Sequence, residues 1–133
     1  TIMIDLTGLK DGGTAGDIIG KDGSGVAFIG KVTTANQGTV FGVTMTCVET
    51  PAGGSTDIDL FSATEGTGVN DTAIGDLTET QIINAGAASA GTVVAGGDIA
   101  ADQFLYLVSQ GTGDATYTAG RFLIEITGFD AAS

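Results

Sequence analysis

The segment from Gln103 to Phe129 constrains the fold more than any other part of the chain. Its first half, QFLYLVS, is apolar on both faces, as expected of a strand that is buried on both sides or lies against a partner chain. Its second half, YTAGRFLIEITGF, alternates, with Phe122, Ile124 and Ile126 on one face. Because the loop QGTGDAT between them contains glycine, we predict that the two strands form a hairpin at the centre of a sheet.

Shorter β-rich runs, separated by turns rich in Gly, Thr and Asp, fill the rest of the chain. The clearest run is Val40 to Val48, whose alternation predicts an inward face made of Phe41, Val43, Met45 and Cys47. The sequence PAGG at positions 51–54 predicts a break directly after it. Further strands are predicted over residues 1–6, 17–20, 26–33, 56–62 and 91–95.

Two local patterns allow more than one interpretation. Over residues 76–84, Thr78 and Gln81 fit a helix capping box, but the adjacent pair Ile82 and Ile83 fits a strand, and we predict a strand. The loops at 65–73 and 110–117 both contain Gly-Thr-Gly. We interpret this repetition as similar turn chemistry rather than as a duplicated unit.

These runs predict the fold class. About eight strands at regular spacing, with no helices alternating between them, are typical of an all-β sandwich or barrel. We therefore predict a single domain over residues 1–133, an antiparallel β-sandwich of jelly-roll-like topology, with an immunoglobulin-like sandwich as the second choice. Residues 1–7 are also a possible N-terminal arm that adds a strand to a neighbouring sheet.

The charge balance excludes some partners. Sixteen acidic and four basic residues give a net charge of −12, and the basic residues are scattered. This balance predicts no nucleic-acid surface and disfavours binding to an anionic membrane. No run of about 20 apolar residues is present, so no membrane-spanning helix is predicted. The first residues, TIMIDL, show no basic region before an apolar one and no cleavage site, so no secretion signal is predicted.

The residue types present give little support for a catalytic site. Histidine is absent, which removes the Ser-His-Asp and Cys-His forms of nucleophilic catalysis and most zinc sites. The single cysteine, Cys47, is predicted to be a small buried hydrophobe. Asp57 and Asp59 share one strand face, and we interpret them as a solvated pair rather than as glycosidase carboxylates. We predict no catalytic residues, no cofactor-binding residues and no enzymatic activity.

Calcium binding is the alternative function considered for the acidic loops. The loops KDGSG (21–25) and GVNDTA (68–73) offer carboxylate, amide and carbonyl oxygens, the ligands that calcium prefers. No EF-hand spacing is present, and we predict no cofactor and no metal ligand, with calcium as a minor possibility. The glycines of GSGVAFIG (23–30) lead into a strand rather than a helix, which argues against a phosphate loop.

Surface contacts remain as the predicted mode of action. The two-sided apolar strand and apolar residues at outward positions indicate more apolar surface than a monomer needs. The alternative, that loops of the same chain cover these positions, is left open. The candidate interface residues are Ile2, Ile4, Phe61, Phe104, Tyr106 and Leu123.

The chain resembles small, acidic, Gly- and Thr-rich virion proteins of marine tailed bacteriophages. The resemblance lies in the phrases at Gly16 to Thr33, Thr46 to Val69, Ile83 to Gly86 and Ala100 to Gly128. It implies a β-sandwich that decorates or cements the outer surface of the phage head, commonly as a homotrimer. The implied partners are the major capsid protein and copies of the chain itself. Two alternatives stay open: a calcium- or carbohydrate-binding adhesion module, and a tail, fibre or turret component of the virion.

Overall fold

The computed structural model describes residues 1–129. Within them the chain forms nine β-strands, one short α-helix (α1, Thr34–Gln37) and one turn of 3₁₀ helix (Ile74–Asp76). The strands are β1 (Ile2–Asp5), β2 (Asp17–Ile18), β3 (Gly30–Val32), β4 (Thr39–Ala52), β5 (Ile58–Ala63), β6 (Glu79–Ile83), β7 (Val93–Gly96), β8 (Gln103–Ser109) and β9 (Ala119–Phe129).

The strands form two antiparallel sheets packed as a β-sandwich. Sheet A has the order β1-β9-β4-β7, and sheet B has the order β2-β8-β5-β6, with β3 also paired to β8. Because β2 and β3 pair with opposite ends of β8, they act as one interrupted strand. The chain then pairs as one long hairpin whose turn lies between β5 and β6, and this hairpin is rolled up into the two sheets. Its strand pairs are β1–β9, β2/β3–β8, β4–β7 and β5–β6. This is a jelly roll, which confirms the predicted fold class.

The predicted terminal hairpin is wrong. Strand β8 lies in sheet B between β5 and the β2/β3 pair, whereas β9 lies in sheet A between β1 and β4. The chain between them, residues 110–118, crosses from one sheet to the other. The physical reason lies in the two sequence patterns. A strand that is apolar on both faces needs an apolar layer on each side, whereas an alternating strand needs one on only one side.

The main core fills the space between the two sheets. It contains the inward side chains of both sheets together with Tyr117 from the crossing loop. Cys47 is buried within it, as predicted, and burial raises the pKa of its thiol. The largest completely enclosed side chains of this core include Phe122, Met45, Leu60, Ile83 and Leu107.

Strand β4 differs from its prediction at both ends. Phe41 was predicted to face the core but is 58% exposed, because a bulge between Val40 and Gly42 turns Val40 inward instead. The predicted break at residues 51–54 comes later than expected, since the strand continues through Pro51 to Ala52. Proline is tolerated there because the pairing with β9 is irregular between Glu49 and Ala52.

Other predicted strands are confirmed with shifted bounds. The 76–84 segment forms strand β6, as predicted, after the 3₁₀ turn. Of the predicted 26–33 strand, only Gly30–Val32 pairs with β8, while an isolated bridge joins Val26 to Val69. The first residues form edge strand β1, which pairs with β9 of the same chain through Ile2–Asp5. The segment considered as an arm is therefore part of the chain's own sandwich.

Candidate interaction surface

The outer face of sheet B is covered by the chain's own loops. A second apolar cluster forms there from Ile18, Phe61, Ala63, Ile74, Tyr106 and Val108. Ala27, Leu77 and Phe104 pack against it from the loops and from the end of β8. We call residues 64–77, which carry Ile74 and Leu77, the covering loop. The two-sided apolar pattern of β8 is therefore explained within one subunit, with the main core on one side and this cluster on the other.

This cover corrects part of the predicted interface. Tyr106 is fully buried and Phe61 is only 8% exposed, so neither lies on a surface that a partner can reach. Phe104 is half-buried, with its ring centroid 4.9 Å from that of Phe28. The physical reason is the covering loop, which packs on this face. The sequence left open whether a partner chain or a loop of the same chain covers these residues, and it is the loop that does so.

Tyr106 fixes the covering loop by two hydrogen bonds. Its hydroxyl donates to the carbonyl of Glu65 at 2.8 Å and accepts from the amide of Gly68 at 3.1 Å. A Cβ atom at Gly68 would lie only 2.7 Å from Cδ1 of Ile18 and 2.8 Å from Cε1 of Tyr106. The second Gly-Thr-Gly loop packs differently. A Cβ atom at Gly111, which lies in the segment that crosses between the sheets, would meet the side chain of Ser55.

The outer face of sheet A has no such cover from residues 1–129. Across its four strands, Met3 pairs with Leu123, Leu123 with Thr46, and Thr46 with Val93. We call these four residues the apolar row. Met3 is 54% and Val93 is 60% exposed, and Leu123 is partly buried at the centre of the row. The row shows that one of the predicted interface residues, Leu123, lies on an open face of the sandwich.

The rest of the open face continues this character. Phe41 and Phe129 lie near one end, with ring centroids 6.1 Å apart. Together with Met3, Val48 and Val93, they account for five of the eight large hydrophobic side chains that are exposed among residues 1–129. At the other end, the guanidinium of Arg121 lies 3.7 Å from the carboxylate of Asp5.

Ile2 and Ile4 point away from the open face. Both are half-buried and pack against the main core, as their alternation with Met3 and Asp5 requires. Of the six predicted interface residues, the structure therefore places Leu123 on the open face, Ile2 and Ile4 at the core edge, and the other three at the second cluster. Sequence reasoning missed Met3, Thr46 and Val93, because only the strand register brings them beside Leu123.

Asp57 and Asp59 are not a solvated pair, and that interpretation is wrong. Asp59 is 1% exposed, and its carboxylate accepts hydrogen bonds from Nε2 of Gln81 at 3.0 Å, Nε2 of Gln110 at 2.9 Å and the amide of Ala85 at 3.0 Å. In Asp57, Oδ1 is buried and has no hydrogen-bond partner among the described residues. Burial, followed by the charge of Asp59, raises the pKa of Asp57.

The acidic loops are engaged by backbone amides and by a lysine. Asp11 is 1% exposed and accepts from the amides of Ala115 at 2.6 Å and Ser55 at 2.7 Å, which ties three loops together. The ammonium of Lys10 lies 3.5 Å from Asp114 and 3.6 Å from Asp22, and these carboxylates raise its pKa. These carboxylates therefore stabilise the conformations of the loops.

The two loops considered for calcium lie side by side. Residues Gly23 to Gly25 and Val69 to Asn70 line a cleft of about 290 Å³ between them. The side-chain NH₂ group of Asn70 donates to the carbonyls of Lys10 and Ile18, so it links β2 to the preceding loop. Within residues 1–129, no group of three or more acidic or cysteine side chains is arranged to hold a metal ion.

The buried carboxyl groups predict an unusual pH dependence. Burial, followed by its contact with Asp71, raises the pKa of Asp17 above its ordinary value of 3.8, and burial also raises that of Asp57. Because the native state binds these protons more tightly than the unfolded chain does, stability rises as pH falls through the raised values and is gained fully below 3.8. Asp5 and Glu65 act oppositely, since hydrogen bonds from Thr7 and Thr78 lower their pKa values, and their contribution is lost as pH falls from their ordinary values of 3.8 and 4.5 through the lowered ones.

We therefore expect the free energy of unfolding to be higher at about pH 5 than at about pH 7.5. Urea unfolding at constant ionic strength measures this difference. In Asp57→Asn the difference should shrink, because one of the two responsible groups no longer titrates. A wild-type protein that loses stability between neutral pH and about pH 5 would contradict the assignment.

Comparisons with known proteins add no assignment. No protein-family model matches the chain, and no curated protein or solved structure matches it either. In the described part of the chain, no helix has the length and apolar character needed to cross a membrane. Evidence about function therefore comes from the two outer faces of the sandwich.

Proposed function

We propose that this chain is a non-enzymatic structural protein of a tailed-phage particle that acts through protein–protein contacts. The most specific form of the proposal is a decoration or cement protein on the outer surface of the head. The observation that carries it is the open face of sheet A, where Met3 and Val93 of the apolar row and the Phe41–Phe129 pair are exposed. Exposed apolar side chains grouped on one face are typical of a site of protein interaction.

The contrast between the two sheets supports this proposal. Sheet B has an apolar outer face, and the chain uses the covering loop and Tyr106 to shield it. The outer face of sheet A receives no comparable cover from the described residues. An acidic, compact sandwich with one shielded and one open face is suited to binding a protein surface while staying dispersed in solution.

The architecture and the resemblance agree with this role. Jelly rolls are common among viral capsid domains, although a fold alone does not assign a function. The resemblance to virion proteins of marine tailed phages supplies the narrower expectation of a head protein that contacts the major capsid protein and copies of itself. Summed over many subunits, such contacts would resist internal pressure through their total interface area. The trimer that the resemblance implies stays a prediction.

The test begins with phage particles whose genome encodes this chain. Mass spectrometry of purified particles should detect the chain, and labelled antibody should place it on the head. Particles made without it should release their DNA at a lower temperature, and adding the purified protein should restore the original temperature. Absence of the chain from particles would overturn the proposal, and a position on the tail or fibre would favour the alternative virion component.

Deleting residues 1–6 is a poor test of an N-terminal arm. Strand β1 pairs with β9 along its whole length, and the following Leu6 is completely buried. The deletion would therefore remove an edge strand and a core side chain as well as any contact with a neighbour. Substitutions of exposed residues on the open face test partner binding without this loss.

A further inference from the structure

We propose that the open face of sheet A binds the same face of a second copy of this chain, around a twofold axis that runs along the apolar row. The inference goes beyond the proposed function and does not depend on it, since pairing is a property of the purified protein. Three properties of the face support the pairing: the order of its side chains, their charges and its area.

The apolar row is suited to a twofold contact. Met3, Leu123, Thr46 and Val93 occupy equivalent positions on four adjacent strands and therefore form a line across the sheet. A twofold axis along this line places each of them against its own symmetry mate, as in any isologous interface. Met3, Leu123 and Val93 then meet apolar side chains, and Thr46 meets a hydroxyl that can donate to or accept from its own.

The charges beside the row are arranged for the same symmetry. Arg121 and Glu125 lie two residues before and after Leu123, so both side chains project from the open face on opposite sides of the row. A twofold axis along the row reverses the strand direction, which places Arg121 of each copy opposite Glu125 of the other. The remaining acids in the Arg121 row, Asp5 and Glu49, then face the uncharged side chains of Thr1 and Thr44, as the alternation along β1 and β4 requires. No two like charges are directly opposed.

The open face carries few of the charges that oppose self-association. Two copies that each carry a net charge of −12 repel one another wherever their acidic loops approach. The three central rows of the open face hold only Asp5, Glu49, Glu125 and Arg121 as charged side chains. The face offers few carboxylates to a strongly basic partner. To a second copy it offers the apolar row for contact, with one oppositely charged residue on each side of the row.

The available area predicts a weak pair. Strands β4 and β9 pair over about 33 Å, whereas β1 and β7 are paired over only four residues each, or about 13 Å; with strands about 4.8 Å apart, the face measures roughly 440 Å². This is less than the roughly 800 Å² that each partner contributes to a standard interface. We therefore expect dissociation constants in the range of about 1–100 µM, so that dilution separates the copies.

Sedimentation equilibrium from about 5 to about 200 µM protein tests the pairing. Wild type should convert from monomer to dimer over this range. Arg121→Glu should weaken the pair at least about tenfold, because it places two carboxylates opposite each other. Lys21→Glu changes the net charge equally in the exposed turn at 21–25 and should leave the dimer unchanged. A wild type that stays monomeric, or forms a trimer, overturns the proposal.

Mixing two variants tests the predicted orientation. Glu125→Arg should also self-associate less than wild type, because arginines then face one another across the axis. In an equimolar mixture of the Arg121→Glu and Glu125→Arg proteins, each acid at these positions faces an arginine, and heterodimers should form. Glu79→Arg, on the exposed part of β6, is the control for Glu125→Arg and should form heterodimers with Arg121→Glu more weakly than Glu125→Arg does, because it restores no second arginine–carboxylate contact. Absence of rescue in the first mixture overturns the proposed axis.

A substitution on the row itself gives an independent measurement. Val93→Asp places two carboxylates together on the axis and should abolish the dimer at every concentration used, without disturbing the core because Val93 is 60% exposed. Val26→Asp, at a residue that is 53% exposed and lies outside sheet A in the segment before β3, is the matched control and should dimerise as wild type does. A Val93→Asp dimer of unchanged affinity would show that another surface joins the copies.

Discussion

Replacing Asp59 with asparagine is expected to lower the free energy of unfolding by about 2–3 kcal/mol. Both oxygens of the buried carboxylate accept hydrogen bonds, one from Gln81 and Gln110 and the other from the amide of Ala85. An asparagine amide has only one acceptor atom, so in either orientation its NH₂ group faces at least one N–H donor. The substitution therefore loses hydrogen bonds to a charged group and leaves buried donors unpaired.

The neighbouring residue provides the matched control. In Asp57→Asn the charge is also removed, but Oδ1 of Asp57 has no hydrogen-bond partner among residues 1–129 to lose. Because burial disfavours the ionised form of Asp57, this substitution should leave stability unchanged or raise it by up to about 1 kcal/mol at neutral pH. Urea unfolding of the two variants at equal ionic strength measures the contrast. Equal losses in both variants would show that the charge, rather than the hydrogen bonds, is responsible.

The sequence could not reveal the role of Asp59 because its partners are distant. Asp57 and Asp59 alternate with Ile58 and Leu60, and this pattern is usually that of a strand with one solvated face. The donors of Gln81 and Gln110 come from 22 and 51 residues away, and their approach depends on the roll of the whole chain. Alternation reports which side chains share a face, but it does not report whether another part of the chain covers that face.

The same distinction explains which part of the fold was predictable. Strand positions follow from local alternation and turn residues, and most were predicted correctly. The terminal hairpin was wrong because β8 and β9 are adjacent in sequence but central in different sheets. The two-sided apolar pattern of β8 carried the relevant signal, since it requires a layer on each face, and the covering loop supplies the second layer.

The open face was predictable only in part. Leu123 stood out as an apolar residue at an outward position of an alternating strand. Met3, Thr46 and Val93 carry no comparable local signal, because each belongs to a different run of the sequence. They join Leu123 only through the register of β1, β9, β4 and β7, which depends on contacts between the two ends of the chain. Interfaces assembled from several strands are therefore harder to predict than the strands themselves.

Replacing Gly68 with alanine is expected to lower the free energy of unfolding by about 2 kcal/mol, through overpacking beneath the covering loop. The added Cβ would approach Cδ1 of Ile18 at 2.7 Å and the Tyr106 ring at 2.8 Å. Both neighbours are completely buried, and the Tyr106 hydroxyl is held by the carbonyl of Glu65. Neither can move aside without disturbing the second cluster, so the loop itself must shift outward.

The matched control and the readouts separate local from general effects. Gly25→Ala lies in the adjacent turn, where an added Cβ would meet no atom within 4 Å, and it should change stability by no more than a few tenths of a kcal/mol. Urea unfolding gives the stability of both variants, and amide hydrogen exchange follows the Gly68 amide, whose acceptor is the Tyr106 hydroxyl. In variants with alanine at position 68, faster exchange is expected in the covering loop than in β9.

The loss of the cover should also change the association of the protein. Once the covering loop shifts, Phe61 and Tyr106 become accessible, and sheet B acquires an apolar outer face like that of sheet A. A subunit with two open apolar faces can join neighbours on both sides, so Gly68→Ala should form species larger than a dimer and bind a hydrophobic dye more strongly than wild type. If Gly68→Ala matches Gly25→Ala in stability, exchange and mass, the glycine is not what keeps sheet B shielded.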